Sequence, residues 1–278
     1  MVALVAHRRT PTNAALARRR PGLLVLPPSE ALRTLVGGDV AIGRLDVSEQ
    51  LDGIEPGLWE LARLEGAGVR VLNRPRALVA AHDKLATSRA LEAAGVRHPR
   101  TEHVTAPTSR VSIDAPVVVK PRFGSWGRDV ALCEDAASLR RHLAAITHRR
   151  WFKSHGALVQ ELVPPKGEDL RVLVAGDTVV GAVRRVAAPG EWRTNVALGA
   201  TRLPVQPAPE TCELAVAAAR AIEADLVGVD LLPSPDGGHV VIELNGAVEF
   251  NAEYSLDGGD VFERTLTALL PDAVAAVA

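Results

Sequence analysis

The segment GVDLLPSPDGGHVVIELNG, residues 228–246, holds two apolar runs separated by a turn rich in proline and glycine. It predicts an antiparallel hairpin with strands at 226–232 and 239–244. Asp230 lies in the first strand and Glu243 in the second, and Asn245 follows two residues later. Because side chains alternate along a strand, Glu243 and Asn245 project from one face. A hairpin that pairs residues 234 and 239 places Asp230 opposite Glu243.

These three oxygen-bearing side chains predict a metal site. Two carboxylates in contact repel each other unless a cation or a proton lies between them. Carboxylate and amide oxygens suit Mg²⁺ or Mn²⁺, and such an ion can carry phosphate oxygens. The alternative is a pair of unrelated carboxylates on the exposed face of a sheet, and for either acid alone this alternative stays open.

A second segment, VVVKPRFGSWGRDV at 117–130, predicts a strand that ends at Lys120, a glycine loop and a second strand. Glycine weakens strands, and arginine and tryptophan are poor residues for a tight turn. The loop Gly124-Ser125-Trp126-Gly127 therefore predicts a flap that closes over an anionic group.

Basic residues elsewhere fit the same anionic ligand, although a solvated charge is the simpler explanation for each one alone. They are Lys84, Lys120, Arg171, Arg184 and Arg193. The pattern GxxxxGK is absent, which excludes a P-loop. A protein kinase has its glycine loop before the lysine strand, whereas here the glycines follow the lysine.

The composition limits the class of protein. The chain has 278 residues, of which 47% are hydrophobic, which predicts a substantial core and two domains or one domain with subdomains. The formal net charge of −1 argues against a nucleic-acid partner. Two isolated cysteines fit a reducing compartment. We find no secretory h-region and no apolar run long enough for a membrane helix, so we predict a cytoplasmic protein without a membrane partner.

The order of apolar runs predicts an N-terminal sheet that is small and mostly parallel, with strands at 2–6, 23–26, 40–45 and 69–72 and helices at 12–20 and 57–65. Residues 75–95 predict a helical connector. After it, an α+β pattern has strands at 117–119, 129–132 and 157–162 and a helix at 136–147. Strands 169–175 and 178–185 flank Gly176-Asp177, a strong hairpin signal. Helices follow at 210–224 and 261–270, and the alanine-rich tail is predicted to be helical.

Taken together, these segments resemble the ATP-grasp ligases, in particular the RimK/LysX-type α-L-glutamate ligases. The resemblance is firm from about residue 72 to the end. Its motifs are VLNRPRALVAAHDKLATSRALEAAGVRHPRT, VVVKPRFGSWGRDV, VQELVPPKGEDLRVLVAGDTVVGAVRR, WRTNVALGA and GVDLL…VIELNGAVEF. No single motif is specific, but their joint order and spacing are.

The resemblance implies an ATP-grasp fold of the α/β (α+β) class. It divides the chain into a parallel-sheet domain that precedes the ATP-grasp (1–75), a central subdomain with the glycine flap (76–162) and a C-terminal antiparallel-sheet subdomain (163–278). ATP would lie between the last two.

The resemblance also implies roles for individual residues. Lys84, Lys120 and Arg171 would contact the nucleotide and its phosphates under the loop Gly124-Ser125-Trp126-Gly127. Glu161 and Leu162 would form the interdomain hinge at the adenine, and Asp169 would bind the ribose side. Arg193 and Asn195 would reach the phosphates, while Asp230, Glu243 and Asn245 would hold Mg²⁺. Arg184 and Arg193 would stabilise the acyl phosphate and the oxyanion.

The implied activity is ATP-dependent ligation of an amino acid, such as glutamate, to a carboxylate of a small molecule or a carrier-protein C-terminus. A homodimer or homotetramer is implied as well. Two alternatives are an ATP-grasp kinase that phosphorylates a hydroxyl and a non-catalytic nucleotide-binding module. The chain departs from the family after Asn245, where Gly246-Ala247-Val248-Glu249-Phe250 lacks the usual proline and glycine. Glu249, Asn251 and Glu253 there could bind an amino group or simply be solvated.

Overall fold

Residues 1–271, the part of the chain that the computed structural model describes, form three β-sheets flanked by helices. The predicted helical tail lies at 272–278, outside the described residues. Among residues 1–271, every helix is too short or too polar to cross a membrane.

The N-terminal sheet has four parallel strands in the order β2-β1-β3-β4, as the alternation of strand and helix predicts. The strands are β1 (Val2–Val5), β2 (Leu23–Leu26), β3 (Val40–Gly43) and β4 (Arg70–Leu72). The helices are α1 (Pro11–Arg19), α2 (Pro28–Thr34) and α3 (Leu58–Gly66). Of these, α2 was not predicted, because its seven residues carry little periodicity.

The predicted connector is two helices, α4 (Pro75–His82) and α5 (Lys84–Ala93). Asp83 separates them, because its backbone is extended and its carboxylate accepts hydrogen bonds from the first amides of α5. This N-cap starts a new helix where the sequence predicts one continuous segment. It also fixes Lys84 at the first position of α5.

The central sheet has four antiparallel strands in the order β5-β8-β6-β7. They are β5 (Thr101–Val104), β6 (Val117–Pro121), β7 (Ala131–Cys133) and β8 (Ala157–Glu161), with helices α6 (Ala136–Ile146) and α7 (Arg150–His155). The loop between β6 and β7, residues 122–130, is the predicted flap. Trp126 and Gly127 in this flap have positive φ angles of 59° and 70°.

The C-terminal sheet has five antiparallel strands in the order β11-β10-β9-β12-β13. They are β9 (Glu168–Ala175), β10 (Thr178–Val186), β11 (Thr201–Pro204), β12 (Leu226–Pro233) and β13 (His239–Asn245), and the helices are α8 (Pro209–Ala221) and α9 (Val261–Leu269). One parallel sheet and two antiparallel sheets confirm the predicted α+β class. The domain boundaries near residues 75 and 162 stay predictions.

The two faces of the C-terminal sheet bury different partners. One face packs Leu173, Val183 and Leu226 against residues of the N-terminal sheet such as Leu4 and Ile42. The other face packs against α8 and α5 in a separate apolar cluster. Side chains at the open end of the first face are polar, and these form the candidate site.

Asn73 joins the N-terminal sheet to the C-terminal one. It has a left-handed backbone, with φ 53°, and its side chain is buried. Its amide nitrogen donates to the carbonyls of Leu226 (2.7 Å) and Gly246 (3.2 Å), and its oxygen accepts from the amides of Asp225 and Leu226. All four contacts are to backbone, so Asn73 holds the start of β12 beside the loop that follows Asn245.

Candidate active site

A cleft of about 130 Å³, hereafter the main cleft, lies between the central and C-terminal sheets and is covered by the flap. A second cavity of about 140 Å³, the side cavity, lies on the other side of Arg185 and Asn195, which line both. The main cleft collects most of the predicted site residues: Lys84, Lys120, Gly124, Gly127, Glu161, Leu162, Asp169, Arg193, Asn195, Asp230 and Glu243. The side cavity takes Ser125, Trp126, Arg171 and Asn245.

Lys84 connects the flap to the acidic hairpin. Its ammonium donates a hydrogen bond to the carbonyl of Gly124 and pairs with Glu243 Oε1 at 2.9 Å. The N-cap of α5 fixes the backbone of Lys84, and the amide of Lys84 also donates a hydrogen bond to the carbonyl of Arg122, at the start of the flap, at 3.1 Å. Lys84 therefore binds a main-chain group of the flap and a carboxylate of β13 at the same time.

Lys120 is buried at the end of β6. Its ammonium donates to Gln160 Oε1 at 2.8 Å, and Gln160 in turn donates to Thr101 at 2.8 Å. Burial, with a smaller contribution from the nearby charge of Lys84, lowers the pKa of Lys120 to about 8, although Glu243 opposes the shift. Gln160 was not predicted from the sequence, and strand alternation does not single it out from its neighbours.

A buried network of two acids and two arginines borders both the main cleft and the side cavity. Asp230 accepts two hydrogen bonds from Arg171, both at 2.6 Å, and one from Arg185 at 2.9 Å. Arg185 also pairs with Asp169, which accepts a further hydrogen bond from Thr194. Burial would raise the pKa of Asp230, but the two guanidinium groups outweigh it and lower this pKa to about 2. Asp230 is therefore a carboxylate at neutral pH.

The structure places Arg185, and not the predicted Arg184, in the site. Arg184 lies outside both cavities and pairs with Glu168 at 3.3 Å, with side chains 43% and 40% exposed. The cause is a β-bulge in β10, where Val180 has no partner between the pairs 179–174 and 181–173. Without it, a two-residue turn at 176–177 would pair Arg184 with Asp169. The bulge shifts the register by one residue, and Arg185 takes that place.

Gly181 makes this bulge compatible with close packing. A Cβ atom at Gly181 would lie 2.8 Å from the carbonyl oxygen of Tyr254 and 2.8 Å from a methyl of Val261. Only a glycine lets the strand approach these groups. A glycine beside a hairpin is thus the one sequence signal that could have indicated the bulge.

Because Arg185 is buried and Arg184 is exposed, we expect their removal to have different effects on stability. Arg185→Ala leaves two buried carboxylates with fewer partners, and we expect a loss of about 3 kcal/mol in the free energy of unfolding. Arg184→Ala removes an exposed ion pair and should cost less than about 1 kcal/mol. Urea denaturation of both variants measures the difference, and equal losses would contradict the shifted register of β10.

The hairpin of β12 and β13 contains a second bulge. The strands pair Pro233 with His239, so the predicted pairing of 234 with 239 is wrong. Ile242 is the extra residue, and past it Asp230 lies opposite Glu243, as predicted. Glu243 faces the main cleft and Asn245 the side cavity.

The oxygen atoms of this hairpin are of the types that bind a hard cation, although Glu243 is paired with Lys84 and Asn245 lines the other cavity. Within residues 1–271, no three His, Cys, Asp or Glu side chains are grouped as metal ligands, so an amide such as that of Asn245 would have to complete the set. A carboxylate offers four lone-pair sites, and Asp230 uses three of them for arginines. Glu243 has a side chain that is 25% exposed. The ligand types are those that Mg²⁺ prefers.

The segment 191–195 holds the flap in place from the C-terminal side. Arg193 pairs with Glu191 at 2.8 Å and donates to the carbonyl of Gly127 at 3.0 Å. Asn195 lies directly against Gly127, whose missing Cβ would sit 2.7 Å from Asn195 Oδ1. The flap is thus held at Gly124 by Lys84 and at Gly127 by Arg193.

The residues that follow Asn245 have partners within the protein. Glu249 pairs with the buried Arg44 at 3.0 Å and accepts a hydrogen bond from Thr10. Glu253 accepts from Asn251 at 3.1 Å. This loop therefore contributes to the contact between the N-terminal and C-terminal sheets, and Glu249 also lines the side cavity.

Comparison with known proteins agrees with this geometry. Residues 81–265 match the model of the RimK-like ATP-grasp domain. The glutamate–LysW ligase ArgX of Sulfurisphaera tokodaii is 33% identical over 226 residues, which cover 76% of each chain. A probable α-L-glutamate ligase of Pseudomonas paraeruginosa is 31% identical over 82% of this chain and 74% of its own. The α-aminoadipate–LysW ligase LysX of S. tokodaii is 30% identical over 72% and 71%.

Solved structures share the fold. A RimK domain ATP-grasp protein from Sphaerobacter thermophilus superposes with a TM-score of 0.69 at 23% identity, covering 97% of this chain and 99% of its own. A D-alanine–D-alanine ligase from Bacillus anthracis in complex with ATP gives a TM-score of 0.68 at 14% identity, covering 99% and 96%. The ATP-grasp fold and the resemblance seen in the sequence are confirmed. This chain belongs to the RimK-like ATP-grasp family of ligases, which form C–N bonds.

Proposed function

We propose that the chain joins an amino acid, glutamate or a similar one, to the carboxylate of a small molecule or of a protein C-terminus. The names of two relatives, a glutamate–LysW ligase and an α-aminoadipate–LysW ligase, support an amino acid and a carrier protein as substrates. One geometric observation carries the proposal. The main cleft and the side cavity meet at Arg185 and Asn195, which gives a nucleotide and a second substrate adjoining spaces.

The chemistry needs an activated carboxylate, because a carboxylate oxygen is a poor leaving group. Transfer of the γ-phosphoryl group of ATP to that carboxylate gives an acyl phosphate and ADP. The neutral amine then attacks the carbonyl carbon and the C–N bond forms. The C–O bond to phosphate breaks, phosphate leaves with the electron pair, and the nitrogen loses a proton. The products are an amide, ADP and phosphate.

In this proposal, residues of the main cleft bind the nucleotide. Lys84 and Lys120 contact the phosphates, Glu161 and Leu162 lie at the adenine, and Asp169 lies toward the ribose. Arg193 and Asn195 reach the phosphates from the opposite wall. Asp230, Glu243 and Asn245 would hold Mg²⁺ or Mn²⁺, which would neutralise charge on the phosphates.

In the same proposal, arginine side chains position the acyl phosphate. We assign this role to Arg185 in place of Arg184, because Arg185 lines both cavities whereas Arg184 lines neither. A fixed guanidinium stabilises charge that develops on the acyl phosphate and the oxyanion. Arg185 is held by Asp169 and Asp230, so it needs no reorganisation during the reaction.

The flap has to open before a nucleotide can enter. The main cleft of about 130 Å³ is smaller than the roughly 300–1,000 Å³ of ordinary ligand pockets. Its cover is held by hydrogen bonds from Lys84 and Arg193 to flap carbonyls and by the contact of Gly127 with Asn195, and these contacts have to break for the flap to open. Closure over the bound nucleotide would exclude water from the acyl phosphate.

The test is a matrix of amino acids against candidate carboxylates, with ATP and Mg²⁺. Phosphate release is measured, and mass spectrometry identifies the product. Amide together with ADP supports the proposal. AMP and pyrophosphate would reject the acyl-phosphate route. A phosphorylated product without amide would indicate a kinase, and tight ATP binding without turnover would indicate a nucleotide-binding module.

The lowered pKa of Lys120 predicts a pH dependence of nucleotide binding. Lys120 is an ammonium below pH 8 and becomes neutral as the pH rises through about 8. We therefore expect ATP affinity to be constant below pH 8 and to fall above it, by at most about tenfold per pH unit. Calorimetry from pH 7 to 9.5 measures this. Lys120→Met should bind ATP more weakly than the native chain does, and its ATP affinity should not fall above pH 8. If the ATP affinity of Lys120→Met falls in the same way, the assignment of Lys120 to the phosphates is wrong.

A further inference from the structure

The side cavity is lined by Arg202, an arginine without a close carboxylate partner. Arg202 lies on β11 directly opposite Arg185 on β10, so both side chains project from the face of the sheet that carries the site. Arg171 and Arg185 are each within 2.9 Å of a carboxylate. Arg202 pairs only loosely, with Glu253 at 3.8 Å, which is too long for a hydrogen bond.

One donor of Arg202 is buried without an acceptor. Its Nε has no hydrogen-bond partner among residues 1–271, although the side chain as a whole is 30% exposed. A buried donor left without a partner is costly, and the cost is higher for a charged group. Arg202 lines the side cavity with a side chain that is 30% exposed and makes no hydrogen bond to Glu253, so the exposed part of its guanidinium is available to an anionic oxygen in the cavity.

The same cavity has acidic groups on other elements. Asp46, after β3, and Glu249, in the loop after β13, both line it. Glu249 is 45% exposed although it pairs with Arg44. A cavity lined by an arginine without a close partner and by two carboxylates complements a small molecule that carries both an anionic and a cationic group. An amino acid is such a molecule.

The side cavity also lies where a second reactant has to be. Arg185 and Asn195 separate it from the main cleft and line both. The flap divides its residues in the same way, since Gly124 and Gly127 line the main cleft whereas Ser125 and Trp126 line the side cavity. A molecule in the side cavity therefore reaches the phosphate end of the main cleft past Arg185.

We infer that the side cavity binds the amine substrate as an amino acid, and that Arg202 determines its specificity by binding a carboxylate of that substrate. The acidic wall of Asp46 and Glu249 faces its amino group. This inference rests on the proposed function, because it names which substrate of the proposed ligase binds in the side cavity. Arg202 acts as a specificity residue and takes no part in the phosphoryl transfer.

The test uses L-glutamate as the probe, titrated calorimetrically into the full chain saturated with ADP and Mg²⁺. We expect Arg202→Ala to weaken L-glutamate binding by about ten- to a hundredfold and to leave ADP affinity unchanged. Arg202→Lys keeps the charge and should recover part of the loss. Arg220→Ala, which removes an exposed arginine of α8 that pairs with Asp177, is the matched control and should bind as the native chain does.

The outcomes separate this inference from the proposed function. If Arg202→Ala binds L-glutamate as tightly as the native chain, or if the native chain does not bind it, the inference is wrong. If the substrate matrix gives an amide while the KM for the amino acid is unchanged in Arg202→Ala, the inference fails alone. If L-glutamate binding depends on Arg202 but no amide forms with any carboxylate, the ligase proposal fails and the assignment of the cavity stands.

Discussion

Asp230→Ala is expected to lower the free energy of unfolding by about 3 to 5 kcal/mol, because it leaves Arg171 unpaired and removes one of the two partners of Arg185. The three side chains are largely buried, so solvent does not replace the lost carboxylate. Urea denaturation followed by circular dichroism measures the loss. Turnover should disappear as well, since the same residue is assigned to the cation.

Two further variants separate charge from shape. Asp230→Asn keeps the size of the side chain and loses its charge, so it should be nearly as destabilised as the alanine variant. Asp177→Ala removes a carboxylate of an exposed pair with Arg220, with side chains 71% and 65% exposed, and should cost less than about 1 kcal/mol. An Asp230→Ala protein as stable as Asp177→Ala would show that the buried network contributes little.

Gly127→Ala is expected to reduce turnover on the order of 100-fold, because it prevents the flap from closing. The new Cβ would lie 2.7 Å from Asn195 Oδ1 and 3.1 Å from Leu198 Cδ1, and the φ of 70° is unfavourable for alanine. An open flap admits water, so the ratio of amide formed to ADP released should fall too. Steady-state rates and product analysis measure both effects.

Gly124→Ala is the matched variant in the same flap. A Cβ there would lie 3.5 Å from the nearest atom, an ordinary contact, and the carbonyl that Lys84 binds is retained. We expect a much smaller loss of turnover. Equal losses in the two variants would mean that glycine is needed for loop mobility in general, and that the contact of Gly127 with Asn195 is unimportant.

The sequence was sufficient for the hairpins, and most of the predicted site residues line the main cleft. Alternation with a period of two, together with Gly176-Asp177 and Ser234–Gly238 as turns, located β9, β10, β12 and β13 to within a residue or two. Those strands carry Asp169, Asp230 and Glu243. A charged residue within an apolar strand is a strong signal of a functional site, because a buried charge needs a partner.

The parts that were missed depend on contacts between distant residues. The bulges at Val180 and Ile242 change the register without any turn residue, and the first one decides whether Arg184 or Arg185 enters the site. Strand β11 was missed because it is a four-residue edge strand that ends in proline. Arg202 was missed with it. Side-chain partners such as Gln160 for Lys120 come from tertiary packing, which periodicity does not encode.

The way the flap is held has a consequence for how such proteins can diverge. Lys84 and Arg193 both bind carbonyl oxygens of the flap, at Gly124 and Gly127, and these oxygens belong to the main chain. Mutation of the two residues between them leaves both attachments intact. The two attachments therefore place no demand on the side chains of Ser125 and Trp126, and because both residues border the side cavity, their replacement offers a route to new substrates without rebuilding the closure.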